Sequence, residues 1–534
     1  METTLDQDEL TGPDQHGATE QPSTLTSAAS RRRFFTAAAT AAAAFVVTTP
    51  EKAQAQSQGT RQARRKLPEP VRGVSLALAS AATPPDAQLA VWRDPVARLV
   101  RRVTLGITKA ELERARALGY SRYLEEQLRP AMIDDRATAS FVATTYATLR
   151  MTPDELYGAN PGRAVTELQE ATIYRAAFSK RQLSERMVEF WTDHFSIDTD
   201  KVSHLKGTDD RDVIRRHAMG KYPALLRASA HSAAMMEYLD QAVSRRGNIN
   251  ENYAREIMEL HSVGVDGGYT EQDVNELARV LTGWTVSGRG IFTYDAQMHD
   301  FGPKRVLGRT IPATAAGRGL AGKGEADAII NQLALHPKTA QYIALKMTRF
   351  LLQYDPADAT VQAVAAEFTK TKGDIPSMIR VILTQQNLMV APAKYKRPFH
   401  LAISAVRALG PSVTSTSFVR GQLDAMGQRL FNWETPDGYP DTMEFWSGLA
   451  LARWNAATSM VAQTGTTFNF NVTPFVGTSA ETGAALIIDN LFGGEVTESL
   501  RTRLQAYLRP SPTNTARVRE AVALALSSAQ FQWY

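Results

Sequence analysis

Asn250–Trp284 reads NENYAREIMELHSVGVDGGYTEQDVNELARVLTGW. Tyr253, Ile257 and Leu260 recur at helical spacing and form one apolar stripe. Arg255, Glu256 and Glu259 lie on another face, within about 60° of Asn252 at 100° per residue. Gly264-Val265-Asp266-Gly267-Gly268 then breaks the pattern as a tight turn. Thr270 is placed to cap a second helix over 271–283, whose core stripe is Val274, Leu277, Ala278 and Leu281. Helix, glycine turn, helix is therefore the local grammar.

The same grammar extends in both directions. Toward the N-terminus, Leu89, Val91, Trp92, Val96, Leu99 and Val100 recur at i+3 or i+4 from Asp86 onward. Thr108-Lys109-Ala110-Glu111 opens the next helix in the form of a capping box, and Gly119 stops it. Helices are expected over Asp134–Leu149, Val165–Phe178, Ser184–Phe195, Asp210–Ala218, Pro223–Ser229 and Ser232–Leu239. Residues 287–325 are rich in Gly, Thr and Arg and read as an irregular insertion. Within it, Ile291–Tyr294 and Val306–Ile311 are expected to form a short β-ribbon with His299 in the loop between them. Helices resume at Glu325–Leu335, Lys338–Gln353, Ala359–Lys370 and Ser377–Gln386, with two more in 396–429. Pro436–Pro440 is a rigid turn, Trp446–Val461 is helical and Thr464–Thr482 is irregular. Two helices close the chain, over 483–507 (interrupted near Gly493) and 512–528. The expected fold is mainly α: one large multi-helix domain over 85–534 with a small irregular or β-ribbon insertion.

Ser30-Arg31-Arg32-Arg33-Phe34-Phe35-Thr36 has the form of a twin-arginine export motif. An alanine-rich apolar run follows to Val47, and Ala53-Gln54-Ala55 is a small-x-small cleavage site. Residues 1–55 are therefore expected to be a signal peptide cleaved near Ala55, and 56–84 a disordered linker. The mature chain is expected to be periplasmic or secreted. It has no apolar run of the ~18 residues that a transmembrane helix needs. The 60 Lys and Arg against 55 Asp and Glu are a small excess with no polybasic arm, which argues against nucleic-acid binding. There is no cysteine, which excludes disulfides and thiolate chemistry.

Glu256 and Glu259 are one turn apart, which suits a hard cation or an acid–base pair with separated pKa values. The same spacing also fits a solvated face on which Arg255 pairs with Glu251 and Glu259. His261 falls on the other side of the wheel, in the last turn before Gly264, where an imidazole can complement a helix C-terminus or join a site. Asp193-His194 ends a helix, His299-Asp300 sits in the loop of the insertion, and His217 and His231 lie near helix ends. No H-E-x-x-H, G-x-S-x-G, Walker or dinucleotide-type loop is present.

These segments together resemble the bacterial family called domain of unknown function 1800. The resemblance is carried by FWTDHF (190–195), NENYAREIMELHSVG (250–264), LTGW (281–284), HDFG (299–302), HPKTAQYIALK (336–346), PDGYP (436–440), RWN (453–455) and ALSSAQFQ (525–532). It implies a mainly helical exported protein, commonly encoded beside members of another family, domain of unknown function 1501, which makes such a protein the expected partner. Asp193 departs from the Asn more usual at that place. The functional expectation is an exported enzyme, metal- or cofactor-dependent, with hydrolysis of an envelope or extracellular polymer favoured over oxidation. Glu256, Glu259, Arg255 and His261 would be catalytic. Asp193, His194 and His299 would hold a divalent metal, and Asn252, Asp300 and Trp284 would form a supporting polar network. The alternative is a non-enzymatic helical partner of another exported protein, with the same polar residues structural.

Overall fold

The computed structural model describes residues 92–314 and 321–534. The expected signal peptide, its cleavage site and the linker lie outside these residues. Asp94 begins the first described helix, Pro95–Val103, by accepting from the Val96 amide. Thr108 caps Lys109–Leu118 through the Glu111 amide, and Gly119 ends it at φ 77°. Glu111 does not complete the capping box: its carboxylate takes the Tyr123 hydroxyl at 2.7 Å instead.

The chain then runs through Tyr120–Gln127, Arg136–Thr145, Pro161–Phe178 and Gln182–His194. The segment expected as an α-helix over 210–218 is wound more widely, as a π-helix over Asp209–Arg215. Buried charge accompanies the widening: Asp209 takes Lys206 at 2.7 Å and Asp210 takes Arg215 at 2.7 Å. Tyr222–Ala230, Ala233–Tyr238, Asn252–Glu259 and Glu271–Leu281 complete this half.

The insertion holds two hairpins rather than the expected ribbon. Trp284–Val286 pairs antiparallel with Phe292–Tyr294, and Lys304–Val306 with Arg309–Ile311. Each strand finds its partner across the nearest turn, so His299 lies between the hairpins and not at the tip of one. A third two-stranded pair joins Ser412–Val413, which separates the two helices of 396–429, to Phe468–Asn469 in the segment expected to be irregular.

Pro337–Leu351 packs on Asp358–Thr371, which leads to Ile375–Ile382 and Gln385–Val390. Pro398–Leu409 is buried at every position, and it packs against Pro161–Phe178, Ala450–Ala462 and Ala480–Phe492. A helix buried on every face, with His400, Ser404 and Arg407 among its apolar residues, belongs at the centre of a large core. Glu498–Leu508 and Thr515–Ser527 end the chain. The fold is mainly α, a large domain, and the described residues belong to one compact unit, Gly73–Tyr534. Among the described residues no helix is long and apolar enough to cross a membrane.

Candidate functional site

Helix Asn252–Glu259 buries Tyr253, Ala254, Ile257 and Met258 and leaves Arg255, Glu256 and Glu259 half-buried. It is shorter than its pattern suggests. The His261 amide reaches back to the Glu256 carbonyl at 3.0 Å and the Gly264 amide to Met258 at 3.0 Å, so His261 lies in the turn past the helix end. Gly264 holds φ 83°, and a Cβ there would stand 2.9 Å from the Tyr342 ring, so the turn can pack on Pro337–Leu351 only with glycine. Arg255 sits among carboxylates, Glu271 at 2.7 Å, Glu251 at 3.4 Å and Glu259 at 3.8 Å.

His194, from the end of Gln182–His194, meets His261 with ring centroids 6.1 Å apart. Both are buried among Trp191, Phe195, Tyr222 and Tyr342. The Tyr222 hydroxyl donates to the His261 carbonyl. Neither nitrogen of His194 nor Nε2 of His261 has a hydrogen-bond partner of normal geometry. Burial, and then the Lys346 ammonium, hold His194 well below the usual histidine range and His261 at about 3. Both imidazoles are neutral at pH 7.

Asp193 turns away from this pair. Arg397 Nη1 donates to its carboxylate at 2.6 Å and Arg397 Nη2 to Glu189, which also takes Arg186 at 2.7 Å. Burial raises the Asp193 carboxyl and Arg397 opposes the rise. This buried row of alternating charge ties Gln182–His194 to Pro398–Leu409.

Lys346, half-buried on Pro337–Leu351, is pulled down to about 8 by burial, against the attraction of Asp193 and Asp437. Asp437 lies in the Pro436–Pro440 turn and accepts from Trp433 Nε1 at 3.0 Å and from the Thr435 hydroxyl. Gly438, at φ 77°, sets that turn on the end of Gln182–His194, where a Cβ would fall 2.2 Å from the Asp193 carbonyl oxygen. Asp437 also bears on the central helix. Glu256 is pushed up to about 7, first by burial, then by Glu259, with Asp437 adding and Arg255 opposing. Tyr342 is raised to about 12 by burial and by Asp437. Asp437 thus bears electrostatically on Glu256, Lys346 and Tyr342, and Glu259 on Glu256, across three separate segments.

The remaining expected residues stand elsewhere. His299 bonds to Thr282 through Nδ1 and lies 3.4 Å from Glu325, which takes Lys304 at 2.8 Å. Asp300 pairs with Arg279 at 2.8 Å. Trp284 is buried against His231 and Phe292. Asn252 is exposed and reaches the Leu239 carbonyl at 3.4 Å. Asn252, Asp300 and Trp284 therefore share no hydrogen bond with one another. Asp193, His194 and His299 are not brought together, and among the described residues no three His, Cys, Asp or Glu side chains are grouped to hold a metal. The sequence alone sets no distances between segments, so a shared histidine–acid chemistry looked like a shared place.

The family model described as "Protein of unknown function (DUF1800)" matches residues 98–533. The chain belongs to the DUF1800 family. No curated protein and no solved structure matches it. The DUF1800 match spans every residue of the cluster, including three that the sequence reading passed over. Asp437 read as part of a rigid turn, although an exposed carboxylate between two prolines is held where few side chains can follow it. Tyr342 and Lys346 are four residues apart and so share a helix face, a spacing that was there to be noticed.

Proposed function

We propose that the protein is an exported hydrolase that cleaves glycosidic bonds in an envelope or extracellular polymer, with Glu256 as its general acid. The observation that carries this reading is the unequal setting of neighbouring carboxyl groups. Glu256 is pushed to about 7 by burial and by Glu259, and keeps a proton to give at neutral pH. Asp437, fixed by the Trp433 and Thr435 bonds, supplies the second carboxylate. Two carboxyl groups with separated environments suit this chemistry: the acid protonates the leaving oxygen as the C–O bond breaks, and the other directs water to the anomeric carbon. Lys346 and Arg255 are the nearby cations that hold the group of acids together. The buried His194–His261 pair stays neutral and transfers no proton in this reading.

Export follows from the Ser30–Thr36 motif. Replacing Arg31 and Arg32 together by lysine should leave the protein in the cytoplasmic fraction; unchanged export would sink that part of the proposal.

Catalysis is tested by reducing-end release from purified murein sacculi and from soluble acidic exopolysaccharide. Wild-type release is expected, falling about 10²-fold or more in Glu256→Gln. The wild-type rate should also decline above about pH 7, as the acid loses its proton. Absence of release from any polymer, or full activity in Glu256→Gln, would overturn the reading.

A further inference from the structure

Beside the Pro436–Pro440 turn, and lined in part by its Tyr439, lies an open cleft of about 460 Å³. That volume is within the range of about 300–1,000 Å³ usual for small-ligand sites. One wall is aromatic. The Trp433 and Tyr439 rings stand 4.9 Å apart, and Phe445, 48% exposed, lies 5.7 Å beyond Trp433. Two arginines line the cleft together with Asp424, and each is paired only in part with acids of the chain. Arg420 lies 3.6 Å from Glu170 and 3.9 Å from Asp424, and its Nε has no hydrogen-bond partner. Arg429 reaches Asn432 at 3.1 Å and Asp200 only at 3.7 Å. The frame is fixed all the same, since the Tyr439 hydroxyl donates to the Arg429 carbonyl at 2.6 Å.

Flat aromatic faces beside planar polar groups suit a ligand with apolar ring faces and a polar rim. Sugar rings have that form. Two guanidinium groups with donors to spare add a preference for a carboxylate, which they can bind in a bidentate fork. The cleft is tied to the acid cluster through Asp437, whose carboxylate holds Trp433 Nε1 and bears electrostatically on Glu256.

We propose that this cleft is a subsite for a saccharide chain carrying uronic acid units. The direction of the chain toward Glu256 rests on the hydrolase reading, whereas binding in the cleft does not. The test uses the mature protein with hexagalacturonate as probe and cellohexaose as neutral comparator, followed by tryptophan fluorescence and calorimetry. Hexagalacturonate should bind, with cellohexaose about tenfold weaker or worse. Trp433→Ala and Arg429→Met should each weaken binding about tenfold or more, and Trp433→Phe much less. No binding of hexagalacturonate overturns the proposal. So does unchanged binding in Trp433→Ala and Arg429→Met proteins that melt as the wild type does. Binding lost in these variants, with no polymer cleaved by the wild type, supports the subsite and removes the hydrolase. Polymer cleavage with binding indifferent to both variants does the reverse.

Discussion

At the scale of single residues, the molecule separates two kinds of titratable group that the sequence sets side by side. His261 and Glu256 are five positions apart, yet burial acts on them in opposite directions of charge. The imidazole is kept neutral by a low pKa, the carboxyl by a high one. The consequences for stability differ in sign. For His261, with a folded value of about 3, the unfolded chain binds the extra proton between that value and the usual 6.5. Stability is therefore present above pH 6.5 and is lost as pH falls toward 3, by on the order of 5 kcal/mol in the limit of full titration. His194 adds to the loss in the same direction. For Glu256 the folded state holds the extra proton, so its contribution is present below about pH 4.5 and is lost as pH rises through 7. Urea titrations at pH 7, 5.5 and 4.5 should show His261→Leu losing less stability than the wild type on acidification. Parallel losses in the two proteins would mean that His261 is charged in the fold. None of this was legible beforehand, because the burial that sets both values comes from partners distant in sequence, such as Tyr222 and Lys346.

At the scale of elements, local signals served well where the physics is local. Thr270 caps Glu271–Leu281 with Asp273 answering as in a capping box, and Gly493 ends Ala480–Phe492 at φ 66° where an interruption was expected. They failed where an element answers to a distant one. The Asp209–Arg215 π-helix accommodates buried ion pairs, and Arg397 finds Asp193 and Glu189 across some two hundred residues. The Pro436–Pro440 turn is the sharpest case. Its two prolines announce a bend, but nothing in them shows that Gly438 rests on Asp193 or that Asp437 bears electrostatically on Lys346 and Glu256. Gly438→Ala combines a positive φ with a Cβ directed at a backbone oxygen, neither of which can yield cheaply. It should cost more than about 1 kcal/mol and lower the polymer cleavage proposed for Glu256, with a change in Trp433 fluorescence as the Asp437 bond is lost. Gly421→Ala is the contrast: it lies within helix Ser417–Ala425, and a Cβ there meets nothing within 4 Å. That change should be neutral or stabilising by about 0.5–1 kcal/mol. Equal melting points for the two variants would show that the turn tolerates displacement.

At the scale of the whole molecule, the first and last parts of the described chain are laced through each other. Gly106 lets the N-terminal segment lie against Pro398–Leu409, where a Cβ would stand 2.6 Å from the Ser404 Cα, and Arg407 Nε donates to the Gly106 carbonyl at 2.9 Å. The last residues close this arrangement. The Lys394 amide donates to the Tyr534 carbonyl at 2.9 Å and the Lys396 amide to Gln532 at 2.8 Å. Arg453 reaches Gln532 at 3.0 Å and Arg186 the Tyr534 hydroxyl at 3.2 Å. Phe531, Trp533 and Tyr534 are all buried. Helical periodicity predicts helices such as Thr515–Ser527 but carries no sign of this six-residue closure, which is short and joined to the core by long-range contacts. Its energetic weight is nonetheless large. Removing a buried aromatic side chain costs on the order of 3–5 kcal/mol, and three are involved, against a total stability of roughly 5–15 kcal/mol. Deleting 529–534 also takes one hydrogen-bond partner from each of the buried guanidinium groups of Arg186 and Arg453. A chain ending at Ser528 should therefore lose its cooperative thermal transition and become sensitive to protease throughout, in the Pro95–Val103 region as well as near the cut. If it melted cooperatively within a few degrees of the intact protein, the last six residues would be a covering and not a closure.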